Sequence, residues 1–266
     1  MADRDDKELS FLGHLEELRW RLIRAAIAVV VGAIAAFSAK NFIFDKVILA
    51  PKSPDFLTYK AFCWIGEYLG FGASFCLADY TLNIQNINMA GQFTTHIVVS
   101  LIAGFIVSFP YVFYQVWKFI SPGLTEREIK LSRGIVFYTS FLFIFGVLFG
   151  YYLIAPLSIQ FLATYSISSE VVNQITLASF ISTITSVTLA NGLVFQLPVV
   201  VYFLAKIGLV TPAFLKKYRK HALVVVLILS AIITPPDVWS QILVTIPLML
   251  LYEISIIVAK RIKKTQ

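Results

Sequence analysis

Residues 11 to 24 read FLGHLEELRWRLIR, and they set Glu16, Glu17, Arg19, Arg21 and Arg24 directly against an apolar run from Ala25 to Phe37. Charge that stops abruptly at an uninterrupted apolar stretch marks a helix leaving water for lipid. A spanning helix needs about 20 mostly apolar residues to cross a hydrocarbon core about 30 Å thick. Backbone groups in lipid must pair within their own segment, which favours helices. A first span is therefore expected over residues 21–39.

The rest of the chain extends this reading. Of its 266 residues, 58% are hydrophobic and only 14% are charged, more apolar surface than a water-soluble domain of that length can hide. Further spans are expected over 92–117, 134–156 and 175–209, the last too long to lie wholly in a bilayer and bent near Pro198, whose missing N–H breaks a helical bond. Between Lys216–Lys220 and Lys260–Lys264 lie 39 residues, interrupted by Thr234, Pro235, Pro236 and Asp237. One helix of that length would put the two basic clusters on opposite sides. Lys and Arg near span ends mark the cytoplasmic face, so two short helices, 221–234 and 238–259, are expected instead.

The same rule orients the chain. The N-terminus, the loops Lys118–Arg133 and Lys206–Lys220, and the C-terminus hold 18 of the 22 Lys and Arg residues. The expected architecture is an all-α integral membrane protein, residues 1–266 forming one polytopic domain of six spans. Both ends are cytoplasmic, the last two helices are short, and residues 40–91 form an external loop. The opening MADRDDKELS lacks the basic start and small-residue cleavage site of a secretory signal.

These patterns exclude several function classes. The net charge of +7 sits at span ends, where it sets topology and meets anionic lipid heads, rather than on a soluble face that reads nucleic acid. No HExxH, GxSxG or phosphate loop with Gly-Lys-Ser/Thr occurs, so neither catalytic residues, a metal site nor a cofactor is expected. A small-solute secondary transporter remains the alternative, although such proteins favour internal repeats and charges deep in several spans.

In the external loop, Cys63 and Cys76 are either a disulfide, if the loop faces an oxidising space, or two inert thiols. Phe62, Trp64, Ile65, Tyr68, Leu69 and Phe71 make that loop apolar enough to cap the spans or lie in the interface. Among acidic residues, Glu17 and Arg21 stand four apart, an ordinary helical ion pair worth a few tenths of a kcal/mol. Glu128 lies in SPGLTEREIK, on the same cytoplasmic side. Two carboxylates amid basic neighbours can also receive a cationic ligand, arginine above all through its bidentate geometry. Asp237, at the external tip of the last hairpin, suits a helix cap. Glu253, inside the last span, should face the bundle or a wet cavity.

The segments FLGHLEELRWR, YQVWKFISPGLTEREIK, FGYYLIAPL, VFQLPV and TPPDVWSQ, in this order and spacing, resemble the TatC family, core subunits of the twin-arginine protein translocase. The resemblance runs from about Phe11 to Lys260. It implies a multi-pass protein of the bacterial cytoplasmic membrane that binds twin-arginine signal peptides of folded cargo proteins. It also implies a multi-copy complex with single-span partners of the TatA and TatB type, and export driven by the proton-motive force. Carried over by position, Glu17 and Glu128 match the glutamates that receive the arginine pair, and Leu18, Arg19 and Phe119 match neighbouring positions of that site. One departure is Gln196, where many relatives carry a glutamate. With Thr185 and Gly192 on roughly the same helical face, Gln196 forms either a hydrogen-bonding patch for a partner helix or a contact within its own bundle.

Overall fold

The computed structural model describes residues 11–68, 70, 82–121, 134–168, 170, 173–234 and 238–265. Helix α1, Phe11–Ser38, carries no proline and runs from the charged segment straight through the apolar one. After it come a π-turn, Phe42–Ile48, and a 3-10 turn, Ala50–Lys52, started by Pro51. Helix α2, Leu57–Tyr68, lies in the stretch read as an external loop. Strand β1, Ile84–Gln85, precedes helix α3, Gly91–Ile120, which contains Pro110.

Helix α4, Ile135–Phe149, passes through a π-segment, Gly150–Ile154, into α5, Ala155–Thr164. Strand β2, Ile175–Thr176, then pairs in parallel with β1, Ile84 opposite Ile175 and Gln85 opposite Thr176. The Thr176 hydroxyl caps α6, Leu177–Val194, by accepting from the Ser179 N–H. Helix α7 covers Leu197–Lys206, α8 covers Pro212–Lys217, α9 covers Arg219–Ile233 and α10 covers Val238–Thr265.

The long fourth run divides where proline dictates. Helix α6 ends at Val194, Gln196 is the N-cap of α7, and Pro198 occupies the first turn of α7, a position where a missing N–H costs nothing. The last two helices differ from each other. Helix α9 has 15 residues and rises only about 22 Å. Helix α10 has 28 residues and continues through Lys260–Lys264, because lysine and arginine sustain a helix once it emerges from the apolar layer. The expectation of two short helices holds for α9 alone. Among the described residues five helices are long and apolar enough to cross a membrane: Gly13–Ser38, Gly91–Ile120, Ile135–Thr164, Leu177–Lys206 and Ser240–Ile262.

The chain divides into two compact units, one within Met1–Ser38 and Ser100–Ser140, the other within Ala39–Val99 and Phe141–Gln266. In the first, α1 and the later part of α3 meet at Gly32 and Gly104. A Cβ on Gly32 would lie 2.9 Å from the Gly104 carbonyl oxygen, and one on Gly104 would lie 2.7 Å from the Ala33 Cα. Only glycine lets two helix backbones come this close.

In the second unit the core gathers Ile154, Ile159, Phe180, Ile184, Val244 and Leu248. Gly146 and Gly150, four residues apart, let α6 come close: a Cβ on Gly146 would sit 2.7 Å from the Asn191 carbonyl oxygen. Hydroxyl pairs tie the helices where lipid offers no partner, Ser158 to Ser240 at 3.1 Å and Ser230 to Thr245 at 3.0 Å. Helix α2 caps this unit by one face. Tyr59 is buried and donates to the Pro51 carbonyl at 3.0 Å, and Thr58 donates to the Tyr152 carbonyl. Its other face leaves Leu57, Trp64 and Tyr68 exposed.

Candidate functional site

The first turns of α1 put Glu17 between two neighbours on its own helix. Arg21, four residues on, donates from Nε to Glu17 Oε1 at 3.1 Å and also from a terminal guanidinium nitrogen to the same oxygen. His14 Nδ1 lies 3.9 Å from the other oxygen, Oε2. Both members of the ion pair are partly withdrawn from solvent, the Arg21 side chain 15% and the Glu17 side chain 27% exposed. The His14 ring stacks on Phe119 of α3, centroids 4.6 Å apart and planes 24° from parallel. An aromatic face, an imidazole and a carboxylate thus meet at one end of the α1–α3 pair, the combination that holds a planar guanidinium by stacking and paired hydrogen bonds.

Of the other residues assigned to this site, Leu18 is 40% exposed and Arg19 is exposed beside it. Phe119 is half-buried under His14. Glu128 lies outside the described residues, as do Asp237 and Cys76. Among the described residues no cysteine is a free thiol.

Thr185, Gly192 and Gln196 do not form an outward patch. Thr185 is 6% exposed and returns its hydroxyl to the Ile181 carbonyl at 2.7 Å. A Cβ on Gly192 would meet Val147 at 2.7 Å and the Phe143 ring at 3.0 Å, so this side of α6 faces α4. Gln196, half-buried at the break, reaches back toward the Gly192 carbonyl at 3.5 Å. The close approach that Gly192 permits is used here by α4.

Glu253 finds a partner that sequence spacing could not reveal. Arg219, 34 residues earlier at the start of α9, donates to it at 2.6 Å. The same hairpin brings together the two basic clusters. Repulsion from the Lys260 ammonium holds the Lys216 amine below the usual lysine range. Tyr252 secures the arrangement by donating to the Leu215 carbonyl at 2.8 Å.

One residue escaped the sequence reading altogether. Gln115, inside α3, is 5% exposed, and its Oε1 has no hydrogen-bond partner among the described residues. The signal was present in the spacing: Gly104, Ser108, Gln115 and Phe119 fall at intervals of four, seven and four, a single stripe of the helix.

Comparison with known proteins places this arrangement in context. The family model described as Sec-independent protein translocase protein (TatC) matches residues 13–247. A protein of that name from Blattabacterium sp. subsp. Periplaneta americana is 44% identical over 261 residues, 98% of this chain and 98% of its own. Another from Helicobacter pylori (strain ATCC 700392 / 26695) is 35% identical over 249 residues, covering 94% of this chain and 87% of its own. A solved structure described as the crystal structure of twin arginine translocase receptor TatC superposes with a TM-score of 0.69 at 31% identity, covering 94% of this chain and 99% of that one.

Proposed function

The chain belongs to the TatC family of Sec-independent protein translocase proteins, and on that footing we propose that it is the signal-peptide receptor and core of a twin-arginine translocase. As a multi-pass membrane protein of this family it takes part in protein transport. In the proposed reading its six spans form one polytopic domain with both ends in the cytoplasm, in a bacterial inner membrane. The arginine pair of a folded cargo protein's signal peptide is received on the cytoplasmic side by Glu17 and Glu128, with Leu18, Arg19 and Phe119 beside them. Single-span partners of the TatA and TatB type then assemble on the receptor, in several copies, and the proton-motive force drives passage.

The observation that carries this reading is the Glu17–Arg21 pair. The carboxylate is already built to hold a guanidinium, beside a stacked His14–Phe119 pair and on a helix rather than a mobile loop, so its geometry is set before a ligand arrives. A peptide arginine would find the same acceptor, and its planar fork would exploit it better than a lysine ammonium would.

The test is export in inverted membrane vesicles that hold this chain with its single-span partners. Transport of a folded cargo should require the arginine pair in its signal and should stop when a protonophore collapses the gradient while ATP remains. Export that continues with a Lys-Lys signal and without the gradient would refute the reading.

A further inference from the structure

We propose that Gln115 is a positioning residue that takes over the Arg21 guanidinium when an arginine of the bound peptide occupies Glu17. The inference rests on the receptor reading above and adds an exchange of partners to it. A buried amide oxygen with no donor is costly and uncommon. Its persistence in α3 is explained if a donor reaches it in another state of the protein.

The helix geometry names that donor. Helices α1 and α3 touch at Gly32–Gly104 and again at His14–Phe119. The order of these contacts makes the two helices antiparallel, and residues between them can be matched by level. Gln115 then lies opposite the turn from Leu18 to Arg21. On α1, the stripe that meets α3 passes through His14, Arg21, Ala25 and Gly32, at spacings of seven, four and seven. Ala25 on that stripe is buried, as the contact requires. Gln115 occupies the matching stripe of α3. The orphaned oxygen and the guanidinium therefore stand at one level, on facing sides of one helix pair.

The chemistry requires such a relay. Arg21 has five N–H donors and spends those it is seen to use on a single oxygen of Glu17. A second guanidinium arriving at that carboxylate would set two positive charges on one negative charge in a partly buried position, where repulsion is poorly screened. Turning Arg21 toward Gln115 separates the cations, satisfies the orphaned oxygen and leaves Glu17 to the peptide. In the ligand-free chain Arg21 is thus an internal stand-in that keeps Glu17 paired.

The test uses the full chain in lipid nanodiscs and a synthetic twin-arginine signal peptide, with a Lys-Lys peptide as control. Gln115→Met keeps length and apolar packing but removes the acceptor. It should bind the twin-arginine peptide about tenfold more weakly, as for a lost hydrogen bond to a charged group, with thermal stability equal to or above wild type. Arg21→Gln should bind about fivefold more weakly, since it loses the tenfold gain of the Gln115 bond and recovers only about twofold from the weak helical pair that competes. In the Arg21→Gln background, Gln115→Met should cost nothing further, a full coupling of the two sites. Gln115→Glu, which holds Arg21 by charge, should restore binding if Gln115→Met folds poorly.

Unchanged affinity in Gln115→Met overturns the proposal. So does a tenfold loss that persists without Arg21, because Gln115 would then touch the peptide itself. If wild type fails to distinguish the two peptides, the receptor reading falls and the exchange falls with it. If wild type distinguishes them and Glu17→Ala abolishes the difference while Gln115→Met does not weaken it, only the exchange is wrong.

Discussion

Glu17→Ala lowers affinity for a twin-arginine signal peptide by about 2 to 3 kcal/mol, the upper range for a hydrogen bond to a charged group, and leaves the fold intact. The asymmetry comes from what Glu17 does in each state. Without ligand it joins Arg21 four residues along the same helix, a contact worth a few tenths of a kcal/mol to stability. In the proposed complex it would supply the charge that a peptide guanidinium must find when it leaves water, and losing that charge would strand a cation. Glu17→Gln keeps shape and one acceptor oxygen, so its loss should be intermediate. Titration of labelled peptide against both variants, with thermal unfolding in the same detergent, checks the ordering. An alanine variant that binds like wild type would remove Glu17 from the site.

The second large effect is expected far from the charge. Gly104→Leu should reduce peptide binding at least tenfold although no residue of the site is changed. A side chain at position 104 would drive into the backbone of Gly32 and Ala33, and backbone, unlike a side chain, cannot rotate out of the way. Overpacking of this kind costs about 1 to 3 kcal/mol in well-packed interiors. Here the helices can relieve it by parting, which separates His14 from Phe119 at the end where the peptide would bind. Gly104→Ala, with one carbon to place, should show the same defect in smaller degree. Graded loss across the two variants, read with the same peptide titration, supports a site that depends on helix approach. A folded Gly104→Leu protein with normal affinity would show that it does not.

The sequence carried the membrane helices because their signal is coarse. An apolar run bounded by charge can be read without knowing its neighbours, and the break before Pro198 follows from a missing N–H. The hairpin of α9 and α10 was legible through its two basic clusters, and Lys216 beside Lys260 is that argument in atomic form.

Other features are relations between distant residues. The Arg219–Glu253 bond, the His14–Phe119 stack and the β1–β2 pairing join segments whose separation in sequence says nothing of their approach. The two arrangements open to Thr185 and Gly192 could not be weighed for the same cause. Helical projection gave their shared face, but only packing shows that α4 covers it. Gln115 carries no signal of its own in the sequence, because a glutamine near a span end is unremarkable until its burial is seen.

In the proposed receptor the arginine pair of a signal peptide comes to the α1–α3 end that Glu17, His14 and Phe119 build. The most direct measurement places a photo-reactive side chain at Leu18, exposed beside Glu17, and irradiates membranes with a labelled signal peptide. A cross-link should form to residues flanking the arginine pair, and should be lost when both arginines become lysine and lost again in Glu17→Ala. A cross-link of equal yield with the Lys-Lys peptide, or one untouched by Glu17→Ala, would contradict that placement.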